Sequence, residues 1–197
     1  MAAPVIGIVG GIGSGKSLVA AEFARHGGLV VAGDRLGHDA LRQPDIKAQI
    51  VGRWGKRILD PAAEIDRRQL AGIVFADRSE LRALESMTHP YIGRRIREEI
   101  ANAASTANVH WIVLDAALLL EAGWHEVCSH IVFVDAPNAV RAQRLHERGW
   151  SARDVKAREQ AQMPLQEKRQ RADAVIDNSA GPEQITAQVE KLLAQWH

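Results

Sequence analysis

The 197 residues contain a single cysteine, Cys128, so the chain can form neither an internal disulfide nor a zinc site built on several thiolates. Its apolar-flanked position before Ile131 reads as a small buried side chain rather than a nucleophile, and the compartment expected is a reducing, cytoplasmic one. Also missing is any run of the roughly 18 apolar residues that a membrane span needs; the apolar run at 5–9 is cut short by glycines, and no basic leader precedes it. Neither sign of charge dominates. Lys plus Arg number 25 and Asp plus Glu 24, a net charge of +1, which excludes wholesale binding to nucleic acid or to an anionic membrane. Internal repeats and low-complexity linkers are lacking too. What is present, 46% hydrophobic and 25% charged residues, is the composition of one globular domain, or one domain carrying a sizeable insertion.

Four short apolar runs, at 5–9, 29–31, 111–114 and 131–134, read as buried strands, and 175–176 is a fifth. They show no polar/apolar alternation, as in a parallel sheet covered on both faces. Helical stretches separate them, so the fold class expected is α/β, doubly wound. The stretch from Asp34 to about Asn108 is too long for a simple crossover and reads as an inserted helical subdomain. Two helices fill 44–75. Asp77 and Glu80 have capping-box spacing and open a helix over Leu81, Leu84 and Met87 that should stop before Pro90. At the other end, Ile185, Val189, Leu192, Leu193 and Trp196 fall on one face of an amphipathic helix.

Between the first strand and a helical segment lies Gly10-Gly11-Ile12-Gly13-Ser14-Gly15-Lys16-Ser17, a match to G-x-x-x-x-G-K-[ST] in the context that gives the motif meaning. Glycines let the backbone turn tightly and present successive N–H groups to phosphate oxygens, while the following helix aims its positive end at the same anion. Lys16 adds a mobile charge for the β- and γ-phosphates, and the Ser17 hydroxyl can ligate Mg²⁺. Leu18 stands where many such loops carry threonine; only its backbone N–H is needed. ATP is the nucleotide expected, held by residues 11–18.

Two acids end strands. Asp34 follows the 29–31 strand and should lie at the carboxyl edge of the sheet beside the loop after the first strand, where open α/β sheets bind ligands. There it either accepts the proton of an attacking hydroxyl or caps a helix over 35–41. Asp115 ends the 111–114 strand, either as a Walker B acid for Mg²⁺ or as a turn residue. The stretch 141–171 is strongly basic: Arg141, Arg144, Arg148, Arg153, Arg158, Lys168, Arg169 and Arg171. Such charge reads as a solvated helical face, or as a mobile lid whose arginines close over the phosphates and exclude water. Arg144 and Arg148 open it. Gly149 ends one helix, and Ser151 with Asp154 has the spacing of a capping box for the next.

Together these residues resemble the dephospho-CoA kinase family. The resemblance rests on the phosphate loop and Asp34, on Asp66-Arg67 with Leu70 and Phe75, on Thr88-His89-Pro90, and on Asp115 with Leu118-Leu119-Leu120-Glu121. Arg144, Arg148, Gln160, and Ala172-Asp173 with Val175-Ile176-Asp177-Asn178 continue it, in order, over nearly the whole chain. The resemblance implies a phosphate-loop kinase of three α/β/α layers with a parallel five-stranded sheet, a helical acceptor-binding insertion and a basic helical lid. The core would comprise 1–33, 109–140 and 172–197, the insertion about 34–108 and the lid about 141–171. It further implies ATP-dependent, Mg²⁺-assisted phosphorylation of the 3′-hydroxyl on the ribose of dephospho-CoA. Asp34 would serve as base or orienting group, Arg144 as the lid arginine, and Asp34, His89, Leu118 and Glu121 as acceptor-side residues. Asn178 would lie near the adenine. Two positions depart from the family pattern: Ala32-Gly33-Asp34 replaces Asp-x-Asp, and Ala117 replaces a proline.

Other classes fit less of the chain. Asp34-Arg35-Leu36-Gly37 matches the D-x-x-G of a GTP-binding switch, but no N-K-x-D follows. A nucleoside or nucleotide kinase of the same fold would differ only in the acceptor. A non-catalytic ATP-binding descendant of a kinase is disfavoured by intact Lys16, Ser17, Asp34 and Arg144.

Overall fold

The computed structural model describes residues 3–196. Five strands form one sheet: β1 (Val5–Gly10), β2 (Gly28–Ala32), β3 (Trp111–Asp115), β4 (His130–Asp135) and β5 (Ala174–Asp177). The helices are α1 (Lys16–Arg25), α2 (Gly33–Ala40), α3 (Pro44–Trp54), α4 (Arg67–Val74), α5 (Arg78–Ala104), α6 (Asn138–Glu147), α7 (Ala152–Ala161), α8 (Leu165–Gln170) and α9 (Pro182–Trp196). The chain divides into two compact units, one containing the sheet and the residues from 97 onward, the other running Gly33–Ile96.

In the sheet unit the strand order is β2-β3-β1-β4-β5, and all four pairings are parallel. All six residues of β1 are buried, as the unbroken apolar runs require of a strand covered on both faces. On one face Ile6, Ile8, Trp111, Val113, Val132, Val134 and Ile176 alternate along their strands and pack with Val19, Ala20 and Phe23 of α1 and Ile185, Val189 and Leu193 of α9. Full burial of each large apolar side chain contributes about 1.5–3 kcal/mol, so this layer is the main stabilising core of the unit. Leu192 and Trp196 pack at its margin, completing the expected stripe on α9. On the other face Gly7 leaves room for Leu119 and Cys128, whose atoms would lie 2.6 and 2.8 Å from a Cβ at that position.

β2 does not neighbour β1: β3 lies between them, with Ala32 in register with Asp115. The chain leaves β1 towards β2 on one side and later crosses to β4 on the other. The carboxyl end of β1 is therefore the topological switch point, where the sheet opens a crevice.

In the Gly33–Ile96 unit, Leu36, Ile46, Ile50, Ile58, Leu70 and Val74 are buried. Two α-helices and a 3₁₀ turn (Lys56–Ile58) occupy the stretch read as two helices. Asp66 caps α4, its carboxylate accepting from the amides of Arg68 and Gln69 at 2.9 and 3.1 Å. Glu80 does not close a capping box with Asp77; it takes two hydrogen bonds from Arg53 and one from the Trp54 indole, at 2.9, 2.9 and 2.7 Å. Asp77 is held below the ordinary carboxylate range by the hydroxyl and amide of Ser79.

The helix expected to stop before Pro90 continues instead to Ala104. Proline costs a helix interior about 3 kcal/mol. Burying Ile92 and Ile96, 6% and 1% exposed, offsets this with about 3–6 kcal/mol. The carbonyl that loses its partner belongs to exposed Ser86, where water can satisfy it.

Candidate active site

The loop between β1 and α1 is shaped by two glycines in the left-handed region. Gly13 has φ 78° and Gly15 φ 93°; a Cβ at Gly15 would also stand 2.1 Å from Asn178 Nδ2. Helix α1 starts at Lys16 with no side-chain cap and no acid in its first turn, which leaves its positive end open to an anion. Lys16 Nζ folds back to the carbonyls of Gly10 and Gly11, at 3.3 and 3.1 Å.

Because β3 neighbours β1, Asp115 at the end of β3 reaches α1. Ser17 Oγ donates to Asp115 Oδ2 at 2.7 Å, across 98 residues of sequence. Its carboxylate thus faces the phosphate loop. A hydroxyl beside a carboxylate is the hard-oxygen donor set that Mg²⁺ takes, with its remaining positions filled by water and phosphate. Among the described residues no group of three or more His, Cys, Asp or Glu could hold a metal by itself.

The outer side of the loop is held by three side chains from distant elements. Arg144, in the last turn of α6, donates through Nη1 to Ser14 O at 3.3 Å and through Nη2 to Asn178 O at 3.1 Å. Asn178, 1% exposed, donates from Nδ2 to Ser14 O at 2.6 Å. Arg141 lies one turn before Arg144 and is 8% exposed, with Nη1 on Ile12 O at 3.4 Å, Nη2 on Asn138 Oδ1 at 2.9 Å, and an ion pair to Glu159 of α7 at 3.2 Å. The sequence reading placed Arg141 within the basic stretch but not in the site. Its spacing from Arg144, three residues on one helix, is the signal that could have found it. Arg148 follows α6 as its C-terminal cap, and Gly149 at φ 73° ends the helix as expected. Ser151 caps α7 by accepting from Asp154 N at 3.1 Å.

After β3 the chain turns through Leu118, half-buried, and Leu119 and Leu120, buried, to Glu121. Glu121 Oε1 accepts from Lys168 Nζ at 2.8 Å and from Met163 N at 2.9 Å. Lys168, 1% exposed, is the second residue that sequence reasoning missed. It sits among Arg169 and Arg171 with nothing in the local pattern to mark it as buried.

In the other unit Asp34 is exposed in the first turn of α2, two residues past the end of β2. It stands inside the helix rather than before it, so the capping alternative is replaced by a first-turn position. One turn on, His38 Nε2 contacts the Arg67 guanidinium. Partial burial and that cation both push His38 below its ordinary range. His89, half-buried within α5, is lowered by burial.

Comparison with known proteins covers almost the whole chain. The family model described as dephospho-CoA kinase matches residues 4–184. A dephospho-CoA kinase of Carboxydothermus hydrogenoformans is 39% identical over 195 residues, covering 98% of this chain and 94% of the relative. One from Aquifex aeolicus is 38% identical over 188 residues, covering 95% and 94%. A solved Thermus thermophilus structure superposes with TM-score 0.80 at 35% identity over the full length of both chains. A shikimate kinase of Acinetobacter baumannii, 14% identical with TM-score 0.55 over 98% and 93% of the two chains, shares the fold.

Proposed function

The chain belongs to the dephospho-CoA kinase family, and from that membership we propose that it transfers the γ-phosphate of ATP to the ribose 3′-hydroxyl of dephospho-CoA, giving coenzyme A and ADP. The observation that carries the reading is the phosphate loop with Ser17 and Asp115 paired across it and Arg144 on its outer side.

The amides of residues 11–18 and the positive end of α1 bind the β- and γ-phosphates. Lys16, released from the carbonyls of Gly10 and Gly11, follows the charge onto the γ-phosphoryl group. Arg144 braces Ser14 and the loop, and its charge offsets what develops on the β–γ bridging oxygen. Asp34 orients the 3′-hydroxyl and takes its proton as the new O–P bond forms and the old one to ADP breaks. Mg²⁺, held by Ser17 and Asp115, would neutralise phosphate charge. On the acceptor side stand Asp34, His89 and Leu118, carried over from the family. Glu121 keeps only Oε2 for any acceptor group, since Oε1 is taken. Asn178, assigned by resemblance to the adenine, has its amide nitrogen on Ser14 and supports the loop from behind.

A cytoplasmic setting fits the lone Cys128, whose thiol burial pushes up to about 12 and so keeps protonated. No helix among the described residues is long and apolar enough to cross a membrane.

The test is ADP release with ATP and Mg²⁺ over a panel of dephospho-CoA, nucleoside monophosphates, nucleosides and shikimate. Dephospho-CoA should be the best acceptor by a wide margin, with the new phosphate on the 3′-oxygen by NMR. Faster turnover of a nucleoside monophosphate would overturn the assignment and leave the fold intact.

A further inference from the structure

The best-buried charge in the sheet unit lies outside the phosphate loop. Lys168 of α8 is 1% exposed, and each of its three ammonium hydrogens has an acceptor. These are Glu121 Oε1 at 2.8 Å, Gln162 Oε1 at 3.2 Å and Ala117 O at 3.3 Å. Glu121 Oε1 also takes the amide of Met163 at 2.9 Å. The network thus ties two separate stretches together: the turn after β3, which begins two residues past Asp115, and the three-residue connection from α7 to α8. The next residue, Leu165, closes the base from the other side, with Cδ1 3.3 Å from where a Cβ on Gly11 would lie.

Stability alone is a weak reason to bury such a pair, because well-packed apolar residues of similar volume serve as well or better. What a three-acceptor cage adds is position. The connection it holds follows α7, none of whose residues is buried, and a lid must pivot at a defined place if it is to exclude water. Lys168 and Glu121 set that pivot relative to the turn that carries Asp115.

We infer that Glu121 and Lys168 are positioning residues that anchor the base of the α7 lid, so that closure over ATP directs the γ-phosphate to the acceptor and not to water. The inference rests on the kinase reading. It shifts Glu121 from contacting the acceptor to acting through the lid.

The experiment uses the full chain carrying Glu121→Leu with Lys168→Met, which keeps volume and removes both charges together. Melting temperature, kcat and KM for dephospho-CoA, and ADP release with no acceptor are measured beside the unsubstituted protein. The double variant should melt close to the parent. Its kcat should fall about tenfold with KM little changed, and acceptor-independent ADP release relative to transfer should rise about tenfold. A purely structural pair would leave kcat and the ratio of ADP release to transfer at parental values, and that result overturns the inference. Should the double variant fail to fold, Gln162→Leu removes only the lid-side acceptor. It should raise the hydrolysis-to-transfer ratio about threefold, whereas an unchanged ratio overturns the anchor. Hydrogen exchange of residues 152–161 with a non-hydrolysable ATP analogue needs no acceptor, so it separates failure of the anchor from failure of the substrate assignment. Nucleotide should slow exchange there in the parent and do so less in either variant; equal slowing overturns the anchor.

Discussion

At the scale of single residues, the site depends on side chains whose worth lies in charge placed where it develops. Arg144 touches the loop through Ser14 O and is itself held by Asn178 O, so its guanidinium is preorganised. Arg144→Ala should lower kcat by about 10²-fold with modest change in dephospho-CoA affinity, read from steady-state kinetics. An unchanged kcat would reduce the residue to a strut for the loop. Asp34 stands inside the first turn of α2, so Asp34→Asn loses at most a helix-dipole contribution of about 0.3–1 kcal/mol. Its melting temperature should stay within a few degrees, while kcat falls by about 10²-fold, the lower end for a general base. Phosphoryl transfer through a loose transition state needs little activation of the nucleophile, which is why the lower end applies. Full activity in Asp34→Asn would move attention to Asp115 as the carboxylate that matters.

At the scale of elements, local signals and packing agree over most of the chain and disagree at α5. Ser151 caps α7 and Gly149 ends α6 because hydroxyl capping and left-handed glycine are decided within a few residues. Pro90 is equally local in its chemistry, yet it does not end α5, because the residues beyond it have somewhere apolar to go. The proline is therefore carried at a cost. Pro90→Ala should raise stability by about 2–2.5 kcal/mol once the entropy regained by the unfolded chain is subtracted. Thermal melting checks this, and a lower Tm would show that the helix is packed around a proline kink. Glu80 makes the same point in reverse. Its spacing from Asp77 suits a cap, but Arg53 and Trp54 offer it three stronger partners.

At the scale of the whole molecule, burial couples the fold to pH. His89 and His38 are both lowered below 6.5, with burial the first cause in each. Below 6.5 the unfolded chain binds protons that the native histidines resist, so the unfolded state gains ground as pH falls. Stability should be fully present above 6.5 and decline between 6.5 and the lowered native values. Melting temperatures across pH 7.5 to 5.5 read the slope, and His89→Gln should flatten it; a parallel curve would assign the slope elsewhere. Sequence by itself determined the five strands, the phosphate loop, the cap of α7 and the stripe on α9. Each of these follows from side-chain chemistry and periodicity within a dozen residues. Tertiary structure alone decided that β3 separates β2 from β1. That order sets Asp115 beside Ser17 across 98 residues. Tertiary structure alone also buried Lys168, while the nearby cations Arg169 and Arg171 stay exposed. No local pattern records which strand will lie next to which, or which of several lysines and arginines will find a cage of acceptors. Those outcomes are fixed only when distant segments compete for the same partners in a packed interior.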